Sequence, residues 1–189
     1  SEYELGAYMT DIVNVFRSYA SVKHIDLTYE SNFRYLNVWL DKDKMDSILK
    51  NIISNALKYT PEGGSVHVYA YETEDTWNVE VSDTGIGIPL DEQKKLFKMH
   101  FRGSNAINSK VTGSGIGLLL VWKLVHMHKG KLNFTSTEGK GSCIKVSFPK
   151  GEKRYRKAIH RPAPTKEQEQ NNEPEQITSP EKGTPDTPA

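Results

Sequence analysis

The chain of 189 residues has one cysteine, Cys143, so no disulfide can form within it. Cys143 falls in an apparent strand, where a buried core thiol is the expected reading rather than a reactive one. No apolar run approaches the ~18 residues that a membrane-spanning helix takes, and no signal segment opens the chain. Excess charge of either sign is missing too: 25 Lys and Arg against 24 Asp and Glu leave a formal net charge of +1. Neither nucleic acid nor a membrane surface is therefore expected as a partner of this piece. The absences predict a cytosolic, cytoplasmic portion of a protein whose parent could still be anchored through segments outside the chain. Proline is scarce until the end, with six of nine beyond residue 160.

What is present is organised by apolar periodicity. Leu5, Met9, Ile12, Val13, Phe16 and Ala20 predict an amphipathic helix. Ile25, Leu27 and Tyr29, then Leu36, Val38 and Leu40, predict two strands, read together as a hairpin. Met45, Ile48, Leu49, Ile52, Ile53 and Ala56 form one stripe of a helix from about Asp43 to Thr60. Strands follow at Val66, Val68 and Ala70 and from Trp77 to Asp83; Leu132 and Phe134, then Ile144, Val146 and Phe148, give two more. The order predicts an α+β fold, a two-layer α/β sandwich with helices on one face of a mixed sheet. Residues 1–150 are expected to form the domain and 151–189 a disordered linker or tail, because Pro, Glu, Gln and Thr cannot build a core there. Its basic stretch, Lys153 to Lys157, reads as a solvated charge run or as a contact for an anionic partner.

Four segments carry chemistry. Asn51, Asn55 and Lys58 are spaced by four and three, so they share a second face of the long helix, beside its buried stripe. Amide oxygens with a Lys one turn on suit a hydrated Mg²⁺ and the phosphates it bridges; a solvated helix face would look the same. Asp83 ends a strand and precedes Gly85 and Gly87, where the backbone can turn sharply. Its carboxylate could accept from an exocyclic amine, although Asp-Thr-Gly also makes a plain turn. A carboxylate in such a loop should contribute little to the core. Gly113-Ser-Gly115-Ile-Gly117 opens a helix with the apolar face Ile116, Leu119, Leu120, Val121, Leu124 and Val125, closing at Lys129-Gly130. Unpaired N–H groups before a helix attract an anion. No Gly-Lys-Ser/Thr follows, so this is not a Walker A loop, and no strand runs directly into it, so it is not a dinucleotide fingerprint. The polar stretch from Gly103 to Thr112 reads as a lid or as a surface loop. Thr137 to Ser142 is a turn between strands, with or without a ligand role.

In order, Asn51-Ile-Ile-Ser-Asn55-Ala-Leu-Lys58-Tyr59-Thr60, Asp83-Thr-Gly85-Ile-Gly87-Ile88, Leu96-Phe97-Lys-Met-His-Phe101-Arg102-Gly103 and Gly113-Ser-Gly115-Ile-Gly117-Leu118 resemble the N, G1, F and G2 boxes of the GHKL, Bergerat-type ATP-binding fold. In detail they are similar to the catalytic domain of sensor histidine kinases, from about Leu5 to Pro149. The resemblance implies ATP and Mg²⁺ as cofactors, with Asn55 the metal ligand and Asn51 and Lys58 facing the phosphates. It implies that Tyr59 packs on the nucleoside and that Asp83 reads the adenine amino group from the loop of Gly85, Gly87 and Ile88. It also makes Arg102 a phosphate contact, catalytic together with Lys58, and has Gly113, Ser114, Gly115, Ile116, Gly117 and Leu118 cradle phosphate.

The acceptor of such a kinase is a histidine followed by an acidic residue. His24, His67, His100, His126, His128 and His160 are followed by Ile, Val, Phe, Met, Lys and Arg. The resemblance therefore implies two partners beyond ATP or ADP: a histidine-bearing dimerisation domain outside the chain and a response-regulator receiver domain, linked by the tail in a hybrid arrangement. A GHKL ATPase stays open, although Lys50 stands just ahead of Asn51 where the resemblance would place a water-activating acid, and the nearest acid is Asp46. A serine kinase of the anti-sigma type and a nucleotide-binding module without turnover also stay open.

Overall fold

The structure is a computed structural model that describes residues 1–96 and 117–151. A short strand β1 (Glu2–Glu4) leads into helix α1 (Leu5–Val22), then β2 (Asp26–Ser31) and β3 (Asn37–Trp39). Helix α2 (Lys42–Tyr59) precedes β4 (Ser65–Glu72), β5 (Thr76–Asp83) and a short α3 (Leu90–Gln93). Helix α4 (Gly117–Met127), β6 (Lys131–Thr137) and β7 (Gly141–Pro149) follow. The main sheet has the order β2-β4-β5-β7-β6, parallel only between β2 and β4. This is the mixed sheet that the pattern predicts, with its helices on one face.

The expected hairpin is not formed. β2 pairs in parallel with β4, Leu27 opposite Val66, whereas β3 pairs with β1 in a separate two-stranded sheet. Alternation identifies a strand but not its partner, and three residues at β1 are too few to show any period.

The two faces separate as alternation requires. Val66, Val68, Ala70, Trp77, Val79, Val81, Ile144, Val146 and Phe148 are buried beneath the helices. Trp77 and Phe148 meet with ring centroids 4.7 Å apart. From α2, Met45, Ile48, Leu49, Ile52, Ile53, Ala56 and Leu57 enter the same core, each large side chain contributing about 1.5–3 kcal/mol by leaving water. That burial fixes the rotation of α2 and hence the direction of its polar faces.

Two core assignments need correction. Leu120 points outward from α4, while Val121, Leu124 and Val125 are buried. Cys143 is half-buried on the opposite face of β7 from Ile144 and Val146. Burial and the neighbouring Glu80 push its thiol up to about 12, so it remains protonated and unreactive.

Candidate functional site

Helix α2 is capped by Asp41, whose Oδ1 accepts from Lys44 N–H at 3.2 Å, and it presents Asn51, Asn55 and Lys58 in a half-buried row. Asn51 Nδ2 donates to Ser47 O at 2.7 Å, which turns Oδ1 away from its own helix. The first residue of α4 closes on that oxygen: a Cβ on Gly117 would lie 2.7 Å from Asn51 Oδ1 and 3.8 Å from Asn55 Nδ2. The end of the glycine run therefore meets the amide row directly, and a side chain at Gly117 would require the Asn51 amide to shift. Leu118 packs beside it against the core.

The second half of the site is held by backbone hydrogen bonds. Tyr59, half-buried at the end of α2, accepts from Ile86 N–H at 3.1 Å through its carbonyl, and Ile86 O accepts from Gly139 N–H at 2.8 Å. Gly87 has φ +61°, and a Cβ there would come within 2.1 Å of Thr137 O. The loop Asp83–Ile88 is thereby pinned between α2 and the β6–β7 turn.

Asp83 lies at the end of β5 opposite Ser142 of β7. Its Oδ1 accepts from Gly85 N–H at 2.8 Å and from Ser142 N–H at 3.2 Å. Both of these bonds use one oxygen, so the carboxylate is oriented and Oδ2 is left for a donor. Burial raises its pKa above the ordinary carboxylate value, and the two N–H groups oppose that rise. The expectation that this carboxylate matters little to the fold is therefore wrong, since it ties β5, the glycine loop and β7 together.

Residues outside the quoted motifs complete this floor. Ser136 Oγ accepts from Ile88 N–H at 2.8 Å, lies 2.9 Å from Ser142 Oγ and donates to Gly141 O at 3.1 Å. Gln93, 5% exposed, donates from Nε2 to Ile88 O at 3.0 Å and to Ser136 O at 2.9 Å. The Thr137–Ser142 turn hinted at a role here. Nothing in the sequence marked Gln93.

Asp46 is committed elsewhere. It accepts from Tyr8 Oη at 2.8 Å, Lys42 Nζ at 2.9 Å and Lys50 Nζ at 3.1 Å. Burial opposes its charge, but these three partners outweigh that and hold its carboxyl below the ordinary range. At 100° per residue it stands roughly 140° around the helix from Asn51. Among the described residues no three His, Cys, Asp or Glu side chains gather in a metal-binding group. A hard cation here would rely on an amide oxygen, phosphate and water, which Mg²⁺ accepts; the outward Asn51 amide and its neighbour Asn55 fit that demand. Arg102, Gly113, Ser114, Gly115 and Ile116, with the expected lid and His100, lie outside the described residues.

The family model for histidine kinase-, DNA gyrase B-, and HSP90-like ATPases matches residues 40–152, from before α2 to the end of β7. The chain belongs to this family. Sensor histidine kinase WalK of Bacillus subtilis (strain 168) is 37% identical over 144 residues, covering 75% of this chain and 23% of WalK. The chain thus spans about a quarter of that relative, and it is an ATP-binding domain of the histidine kinase-, DNA gyrase B-, and HSP90-like ATPase family. Among solved structures, mycobacterial sensor histidine kinase MprB shares the fold, with TM-score 0.69, 24% identity, and coverage of 79% of this chain and 98% of that one. Histidine kinase ThkA in complex with response regulator protein TrrA also shares it, with TM-score 0.64, 21% identity, and coverage of 80% of this chain and 42% of that one. Among the described residues no helix is long and apolar enough to cross a membrane.

Proposed function

We propose that the domain, residues 1–150, binds ATP with Mg²⁺ and presents the γ-phosphate to a histidine on a dimerisation domain outside this chain. The observation that carries the reading is the junction of two signals far apart in sequence: Gly117 closes on Asn51 Oδ1 while Asp83 is oriented by Gly85 and Ser142. Asp83 Oδ2 accepts the adenine amine, Tyr59 packs on the nucleoside, and Gly85, Gly87 and Ile88 form the floor. Asn51 and Lys58 would face the phosphates, Asn55 would hold the metal, and Arg102 with the amides of Gly113 to Leu118 would complete the anion site. Mg²⁺ held there would supply charge neutralisation on the phosphates. In the transfer, the lone pair of a neutral imidazole nitrogen forms the bond to γ-phosphorus while the bond to the ADP oxygen breaks, and ADP leaves. Positioning and electrostatics supply most of the rate in such reactions, and imidazole is nucleophilic without a further base.

A hydrolytic ATPase is the second reading, and the placement of Asp46 disfavours it: this acid, the nearest ahead of Asn51 in sequence, is engaged by two lysines and a tyrosine. The pairing of ThkA with a response regulator supports a receiver domain as the downstream partner. We further read 151–189 as a linker toward such a domain and place the domain on the cytoplasmic side. Titration with ATP, ADP and GTP, with and without Mg²⁺, tests the site. Labelled ATP with the parent's dimerisation segment added in trans tests the transfer: acid-labile label is expected on that segment. Label on the fragment alone, or rapid phosphate release, would overturn the assignment.

A further inference from the structure

A helix leaves its last carbonyls without intrahelical partners. At the end of α2 those carbonyls belong to the turn that carries Lys58 and Tyr59. One is taken by the glycine loop, through Ile86 N–H and Tyr59 O. Those of Leu57, Lys58 and Thr60 converge on Lys23 Nζ at 2.7, 3.1 and 2.9 Å. An ammonium has three N–H donors and no acceptor, so these carbonyls fill it. Its positive charge also sits at the negative end of the α2 dipole. Thr60 leaves the helix in an extended conformation, with φ −90° and ψ 125°. The left-handed glycine that commonly closes a helix is therefore not used, and a side chain from another element takes its place.

The chain is built to deliver that side chain. Helix α1 ends at Val22, Lys23 N–H donates to Tyr19 O at 3.1 Å, and Ile25 N–H returns to Ala20 O at 2.9 Å. His24 between them is left-handed, with φ 52°. This turn is fastened to the loop after α2, since Gly63 N–H donates to His24 O at 3.0 Å and Asp26 N–H to Gly64 O at 3.0 Å. Lys23 Nζ also lies 5.9 Å from the centroid of the Tyr19 ring, which limits where the ammonium can swing. Burial lowers the pKa of Lys23 from its ordinary value, consistent with an ammonium partly withdrawn from water.

We propose that Lys23 is a positioning residue for nucleotide binding. By gathering the Leu57, Lys58 and Thr60 carbonyls it holds the last turn of α2, so that Lys58 and Tyr59 face the nucleotide and Tyr59 O keeps the Ile86 amide. The proposal rests on the nucleotide-site reading above and adds a residue that lies in none of its motifs. It places the junction of α1 and β2 in mechanical contact with both halves of the site.

The test uses the full chain with Lys23→Met, which keeps the stem and removes the donors, Lys23→Gln, which keeps amide donors without charge, and Lys23→Arg, which keeps charged donors. Affinity for Mg²⁺-ATP is measured by calorimetry well below the melting temperature of each variant, with hydrogen exchange of the Ile86 amide as a local readout. Lys23→Met should weaken ATP about tenfold, the scale at which lost supporting contacts loosen a ligand site, and should speed Ile86 exchange. Lys23→Arg should restore most of both, with Lys23→Gln between. Wild-type affinity and Ile86 protection in a folded Lys23→Met, even with a lowered melting temperature, would overturn the proposal, because the ammonium would then be a stability cap only. Should Lys23→Met fail to fold, Lys23→Gln decides: wild-type values in it refute the proposal, and weakened binding with faster Ile86 exchange supports it. If the unaltered chain binds no nucleotide, the nucleotide reading itself fails, and the proposal with it.

Discussion

Replacing Asp83 with Asn separates the two tasks of this side chain. An Asn placed in the same rotamer keeps an Oδ1 that accepts from Gly85 and Ser142, the contacts of 2.8 and 3.2 Å. It exchanges Oδ2 for an NH₂ donor. Facing the adenine amine, that donor removes one charge-assisted hydrogen bond, worth about 2 kcal/mol or roughly thirtyfold in Kd. Facing guanine, which has a carbonyl where adenine has its amine, the same NH₂ gains an acceptor. The ratio of ATP to GTP affinity should therefore collapse or invert. Stability should not fall, because burial already disfavours the charged form of Asp83 and Asn carries no charge. Asp83→Ala differs: it strands two N–H groups at about 1–3 kcal/mol each when water cannot replace the acceptor, so it should lower the melting temperature as well. Calorimetric titration of both nucleotides, paired with thermal melts, gives both quantities. A folded Asp83→Asn that keeps wild-type preference for ATP would refute the assignment of Oδ2 to adenine. The raised pKa adds a pH signature. ATP needs the carboxylate, so affinity should fall on acidification as pH drops through a value above that of an ordinary Asp.

Gly117→Ala should weaken Mg²⁺-ATP while leaving the sheet intact, because its Cβ would lie 2.7 Å from Asn51 Oδ1; nucleotide titration of the folded variant checks it, and unchanged affinity counts against an approach of α4 to the amide row. Asn55→Ala should flatten the Mg²⁺ dependence of ATP binding with little change in metal-free affinity, read by titrating ATP at fixed Mg²⁺ concentrations. Glu4 caps α1 by accepting from Gly6 and Ala7 N–H at 2.9 and 2.6 Å, so Glu4→Ala should cost about 1 kcal/mol. Burial raises the Glu4 pKa, but the bonds from Ala7, Gly6 and Leu36 outweigh it and leave it lowered. The contribution is then complete above the unfolded pKa and lost as pH falls through the lower folded one. Urea melts of both proteins at neutral and acidic pH should show the difference shrinking with acid.

Helix α2 was legible because eighteen residues carry several turns of one period, and the same period that buries Ile48 and Ile52 sets Asn51 and Asn55 on an adjoining face. The β2–β3 hairpin was misread because pairing is a property of chain segments far apart, and Asp26 finds Ser65 rather than a neighbour. Asp83 was legible as an acceptor at a strand end, whereas its fastening to Ser142 required the register of β5 on β7. Gln93 and Lys23 left no trace for a related reason. Their partners are main-chain carbonyls, which every residue has, so no side-chain pattern announces the contact.

That reliance on the main chain bears on how binding and transfer divide. The proposed base-recognition end is closed by bonds among Tyr59, Ile86 and Gly139 and among Asp83, Gly85 and Ser142, all made within this chain. A site fixed in this way loses little freedom when adenine arrives, so nucleotide affinity should not depend on any other domain. Transfer is different in kind. It needs an imidazole in line with the γ-phosphate at about 3 Å, and His24 and His128 are engaged with Glu62 and with Leu124 O. On the proposed reading, binding is therefore a property of the domain and phosphorylation a property of its assembly. On that reading, moving the acceptor alone would then suffice to switch transfer while ATP stays bound.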